Sequence, residues 1–241
     1  MLSTMRALAV SFGMVAAAAL PAAAATVTVS KQTSDIFGVE QWDVEANYKR
    51  PEPLNGNFRV RAGAFQLHTD DWGGLPISKD FMAFCLTPFT FINLKGYPEY
   101  SIRTKLGTKV QSLLGALAHG AWDKVADATT AGAFQLAAWE IVADGGAGPL
   151  DFDKGLFLLR SGTNPKAREQ AEKWLDSIGS GAFSKGTAGL TFLSVGQIDG
   201  KDVTQNLVTY TPPSPVPLPG AFGFLIAALA ATTALGRMRR A

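Results

Sequence analysis

The chain has 241 residues, of which 47% are hydrophobic and 17% charged, with a formal charge of +2 and a single cysteine. That hydrophobic share excludes a disordered chain, and a lone cysteine excludes an internal disulfide. The excess of positive charge sits at the ends: the 22 basic side chains fall to 18, against 20 acidic, once Arg6, Arg237, Arg239 and Arg240 are set aside. No basic stripe with interleaved aromatics then remains to bind nucleic acid.

Residues 1–25 have the form of a secretory signal peptide. Arg6 supplies the charge, Ala7 to Leu20 the apolar run, and the alanines after Pro21 an A-x-A cleavage site, so the mature chain starts near Thr26. About 190 residues then remain before the C-terminal segments, enough for one domain with a sizeable core or two small lobes.

From Thr26 to about Phe91 the pattern has a period of two. Ala25 to Ser30, Phe58 to His68 and Phe81 to Leu86 read as strands, separated by turn residues that include Leu54-Asn55-Gly56-Asn57. This places Cys85 within a strand. From Lys105 the period lengthens: Val110, Leu113, Leu114, Leu117 and Ala121 fall at helical spacing. Ala131 to Asp144 reads as an amphipathic helix stopped by Gly145-Gly146. In a third helix Asn164 caps, Pro165 opens, Ala167 to Ile178 propagates, and Gly179 takes the left-handed terminal position. Gly189 to Val195 and Asn206 to Tyr210 return to strand character. The order predicts an α+β domain over residues 26–210, a β-sandwich or barrel-like sheet carrying an inserted helical subdomain.

Thr211 to Pro219 is a proline-rich spacer that admits neither helix nor central strand. Ala221 to Gly236 is a sixteen-residue uncharged run, short but adequate for a membrane helix, and residues 237–241 form a basic tail expected to stay cytoplasmic. The arrangement at 211–241, with Val216, Pro217, Leu218, Pro219 and Gly220 ahead of the apolar run, resembles the PEP-CTERM sorting signal in its VPLPA variety. Gly220 stands where that variety has alanine. The resemblance implies export past signal peptidase, transient residence in the inner membrane of a two-membrane bacterium, cleavage by an exosortase, and a cell-surface or extracellular destination.

Cys85 lies in Ala83-Phe84-Cys85-Leu86. By its neighbours it is a small core residue as readily as a reactive thiol. Gln135, alone, reads as a helix residue bonding a backbone group. Together, Phe84-Cys85-Leu86 and Phe134-Gln135-Leu136-Ala137-Ala138-Trp139, fifty residues apart from Cys85 to Gln135, are similar to the signature of bacterial thioester domains. The similarity covers most of Ala62 to Thr211, including Ala62 to Phe65 and Gln205 to Thr211, with Ala138 in place of a larger aliphatic. It implies that Cys85 and Gln135 condense to an internal thioester that later acylates a surface amine or hydroxyl, on a polysaccharide or a protein. Phe84, Leu86, Phe134 and Trp139 are then motif or shielding residues. A carboxamide accepts a thiolate only when held in near-attack geometry, which is why such chemistry needs a fixed pair. Helical spacing puts Trp139 one turn beyond Gln135, where the indole covers the carboxamide.

Other chemistries fit less well. A cysteine hydrolase needs His68 or His119 as base and a nucleophile at an elbow. The acids at His68-Thr69-Asp70-Asp71 and Asp151 to Gly155 supply too few ligands for a metal, and no phosphate-cradling loop precedes a helix. The sequence therefore predicts no enzyme, metal or cofactor. It supports a covalently attaching surface protein, or alternatively a non-covalent structural component of an exopolysaccharide or biofilm matrix.

Overall fold

The computed structural model describes residues 25–50, 56–90, 92–95, 98–145, 147–184, 186–198, 201–202 and 204–212. The sorting motif at Val216 to Gly220, the apolar run and nearly all of the signal peptide lie outside them. Among the described residues no helix is long and apolar enough to cross a membrane.

In chain order, β1 (Thr26–Thr28) and β2 (Ser30–Lys31) are separated only by Val29, and β3 (Asp43–Arg50) and β4 (Gly56–Gly63) form a long hairpin. After β5 (Phe65–His68), β6 (Asp80–Cys85) and β7 (Glu99–Ile102) come α1 (Thr108–Ala121), a 3-10 turn at Trp122–Lys124, α2 (Ala128–Asp144), β8 (Leu158–Leu159) and α3 (Pro165–Gly179). The chain then returns to strands: β9 (Leu190–Ser194), a small ribbon of β10 (Gln197–Ile198) and β11 (Lys201–Asp202), and β12 (Leu207–Tyr210). The expected α+β order is present, with the helices carried between β7 and β9.

Seven strands pair antiparallel in the order β1-β7-β9-β12-β6-β5-β2. The outermost two, β1 and β2, are consecutive in the chain, so residues 26–31 span both edges and bring the sheet close to a closed barrel. Closure removes the exposed ladder groups that make an open edge prone to aggregation. Alternation drives the strands inward: Val27 and Val29 are buried while Thr26 and Thr28 face solvent, and Phe65 and Leu67 are buried on β5. The central β12 is buried at all four positions.

The second layer is the three-stranded sheet β4-β3-β8 with α2 packed against it, and α1 and α3 packed on α2. Charged residues obscure the apolar pattern of Asp43-Val-Glu-Ala-Asn-Tyr-Lys-Arg50 in the sequence, and the expected Phe58 to His68 strand is broken in two. The break follows Gly63, where a Cβ would come within 2.0 Å of the Trp42 carbonyl oxygen; that same oxygen accepts the Ala64 N–H at 2.9 Å. Gly56 and Asn57, expected in a turn, begin β4 opposite Arg50 and Lys49.

Helix α2 starts three residues earlier than its apolar pattern, at a capping box in which Asp127 accepts the Thr130 N–H at 2.7 Å while the Thr130 hydroxyl accepts the Asp127 N–H at 3.0 Å. Contrary to expectation it is not amphipathic: every residue from Ala131 to Ile141 is buried, because α1, α3, β3, β4 and β6 surround it. Gly132 permits the closest approach, since a Cβ there would lie 2.3 Å from Val44 Cγ2. In α3 the Asn164 side chain accepts the Ala167 N–H and Pro165 opens the first turn, as expected. The left-handed residue after it is Gly181, however, because the helix runs on through Gly179 to Ser180.

Candidate functional site

Cys85 is the last residue of β6, not a mid-strand residue, and it lies opposite Leu207 of β12. The Leu86 N–H donates to the Asn206 carbonyl at 2.8 Å, on the β12 side. Strand alternation turns the N–H and C=O of Cys85 the other way, toward β5. But β5 begins at Phe65, paired with Ala83, because the strand is interrupted after Gly63, which pairs with Asp43 of β3 instead. Two residues along, Cys85 has no strand to pair with.

The side chain of Gln135 fills that place. Its Oε1 accepts the Cys85 N–H at 2.8 Å, and its Nε2 donates to the Cys85 carbonyl at 2.8 Å. A carboxamide thus substitutes for the missing backbone partner and is held at both ends against the cysteine. Gln135 is 1% exposed and Cys85 is fully buried, so neither bond competes with water.

The sulfur has its own surroundings. The Thr87 N–H donates to Sγ at 3.3 Å, and Thr87 in turn accepts the Asn206 N–H through its hydroxyl at 3.1 Å, which fixes the turn after β6. Burial pushes the Cys85 thiol up to about 11, opposed by the Trp139 indole and by Thr87. The indole Nε1 lies close enough to the sulfur to favour its anion but completes no well-aligned hydrogen bond. The thiol is therefore neutral at physiological pH, a slow nucleophile and a poor leaving group.

Aromatic rings enclose the contact on two sides. The Phe84 and Phe134 rings lie 4.3 Å apart between centroids, tilted by 32°, with Trp122 at 5.6 and 5.5 Å from them. Trp139 packs 6.1 Å from Tyr48 and 5.7 Å from Phe157. Leu86, next in the chain to Cys85, is buried as well. All six motif positions, Phe84, Cys85, Leu86, Phe134, Gln135 and Trp139, thus meet at one junction between barrel and helix, and Ala138 is buried with them.

Three residues that carry no motif signal in the sequence, Tyr48, Tyr100 and Glu140, also lie in this region, with Gln205 from the Gln205 to Thr211 stretch. Tyr48 donates its hydroxyl to the Pro88 carbonyl at 2.6 Å and carries the aromatic cluster under Trp139. Tyr100 reaches inward from β7, near enough to feel charge on Cys85, and burial raises its phenol well above the usual range. Gln205 donates through Nε2 to the Thr90 carbonyl and leaves Oε1 unpartnered. Glu140, on α2, is fully buried. Only alternation could have signalled Tyr48, in a stretch whose charged residues hid it.

Neither histidine joins the cysteine. His68 pairs with Asp80 at 2.6 Å and Asp70 at 3.3 Å, at the far end of β6, roughly 16 Å of strand from Cys85. His119 contacts the Ala188 carbonyl and the Tyr210 hydroxyl. Asp151 and Asp153 pair with Lys154 and Arg168, and no cluster able to hold a metal ion occurs among the described residues.

The fold and site define a barrel-like α+β domain with a buried cysteine and a glutamine pinned to it. No family model, curated protein or solved structure matches the chain.

Proposed function

We propose that this chain is an exported thioester protein in which Cys85 and Gln135 condense, and that it attaches covalently to a nucleophile on a partner surface. The observation that carries the reading is the double hydrogen bond between the Gln135 carboxamide and the Cys85 backbone. It holds the acyl carbon against the residue whose sulfur must attack it, in the fixed arrangement that such a poor acceptor requires.

In the condensation, Sγ attacks Gln135 Cδ. A C–S bond forms, the C–N bond breaks, and the thiol proton leaves with the amide nitrogen as ammonia. The Cys85 N–H, already on Oε1, stabilises the oxygen as charge develops there. The raised thiol pKa favours a long-lived product, since a basic thiolate departs slowly. Burial of both residues limits the approach of water to the bond. The protein acts once per molecule, as an acylating adhesin and not an enzyme.

The same reading takes residues 1–25 as a signal peptide, 211–220 as an exosortase motif and 221–236 as a transient inner-membrane helix, with the mature domain at the cell surface or in the extracellular matrix. One observation favours the non-covalent matrix alternative: two hydrogen bonds satisfying an orphaned strand end are a sufficient structural reason for Gln135. Intact mass of freshly purified domain separates the two. The thioester predicts a mass lighter by one ammonia, restored in Cys85→Ala and Gln135→Ala, and uptake of methylamine at Gln135. An unmodified mass in the wild type, with no methylamine uptake, leaves only the matrix reading. For sorting, a surface fraction that still carries Arg237 to Arg240 would count against cleavage.

A further inference from the structure

A recess of about 230 Å³ opens at the junction of the barrel and the β3–β4 hairpin, and its floor includes Gln135 and Trp139. Phe37, Tyr48, Val60 and Phe65 give it apolar walls, and Arg59 and Arg61 stand toward solvent. It holds about eight waters' worth of space and is smaller than the roughly 300 Å³ at which pockets for drug-sized ligands begin. One slender side chain fits it, and a stacked run of sugar rings does not.

Gln205 also lines the recess. It is 8% exposed, and its Nε2 is fixed by the Thr90 carbonyl, which accepts and cannot donate. That assignment leaves Oε1 as a buried acceptor with no partner. Such a group costs stability unless something donates to it. An incoming N–H would do so.

Resting on the thioester reading, we propose that this recess is the nucleophile's access port, that Gln205 is its positioning residue through Oε1, and that it selects an unbranched primary amine over a hydroxyl. The selection follows from the lining. Among the described residues of the recess there is no carboxylate and no imidazole. A neutral amine attacks without a base, whereas a hydroxyl or water needs one to take its proton. In the transfer the amine nitrogen bonds to the Gln135 acyl carbon, the C–S bond breaks, and the amine's proton passes to the sulfur. The products are a secondary amide and the free Cys85 thiol.

The test measures, on the purified domain, ammonia loss by intact mass and then the rates of methylamine and ethanol uptake. Gln205→Leu should retain the ammonia deficit and take up methylamine about tenfold more slowly, the worth of one hydrogen bond. Gln205→Glu restores the acceptor and adds a base, so methylamine uptake should recover and hydrolysis or ethanol uptake should rise. Val60→Phe, which fills the recess from β4, should retain the deficit and slow methylamine and exclude benzylamine. If the deficit is present but all three variants take up amines as the wild type does, or the wild type takes up ethanol as fast as methylamine, the port is overturned while the thioester stands. If the wild type shows no deficit, both fall.

Discussion

Helix α2 buries two polar side chains five residues apart, and the two have opposite fates. On the barrel side, the Gln135 amide has a partner at each end, both on Cys85. On the side of the α2–β8 loop, Glu140 accepts the Asp151 N–H at 2.8 Å through Oε1, while Oε2 has no partner. A neutral group with its bonds made costs little to bury, whereas an acid with half its bonds missing is driven to keep its proton. Burial, first of all, and then the charges of Asp144 and Asp151 push the Glu140 carboxyl up to about 8, against the Asp151 N–H that favours its ionised form. One side of the helix is thus built to hold geometry, and the other stores a titratable group.

Gln135→Leu breaks the first side most severely. Leucine fills most of the volume but leaves the Cys85 N–H and C=O buried and unpaired, where β5 cannot reach them. The expected loss is on the order of 3 kcal/mol, read as a lowered urea midpoint with an unchanged slope. A loss within about 0.5 kcal/mol would mean that β6 ends there without help from the side chain.

Glu140→Gln sharpens the second side, with the opposite sign. Because the folded carboxyl has a raised pKa, the native state holds a proton that the unfolded chain releases, so wild-type stability is greatest below the ordinary value of 4.5 and falls as pH rises through about 8. Glutamine retains the acceptor for Asp151 and removes the titration. The variant should match the wild type near pH 4.5 and exceed it by about 2–3 kcal/mol at pH 7. Urea midpoints at pH 5, 7 and 9 check this. Parallel curves for the two proteins would show that Glu140 ionises freely.

The sequence made the helix and its motif residues legible because apolar spacing and caps act locally. It hid what depends on the third dimension. Periodicity took Ala131 to Asp144 as one-sided, since Gln135 and Glu140 interrupt the apolar pattern; the surrounding layers bury both. The β3 strand was masked by Asp43, Glu45, Lys49 and Arg50, while Val44, Ala46 and Tyr48 are buried on its other face. Nothing local announces that the strand is interrupted between Gly63 and Phe65, and that interruption is what leaves Cys85 for Gln135 to pair with. The motif brought the two residues to attention, but the reason for their contact lies in how β5 ends.

The smallest expected effect lies at the other end of β6. Asp80 chiefly, and Asp70 after it, raise the His68 pKa above 6.5, and the group is open to water, so solvent screens the pair. Its contribution is fully present below 6.5 and fades as pH rises through the folded value. Proton NMR should place the His68 titration above the ordinary value and show it falling more in Asp80→Asn than in Asp70→Asn. His68→Gln should leave methylamine uptake unchanged at every pH. A rate that followed the His68 titration would couple the two ends of β6 and return a histidine base to the chemistry of Cys85.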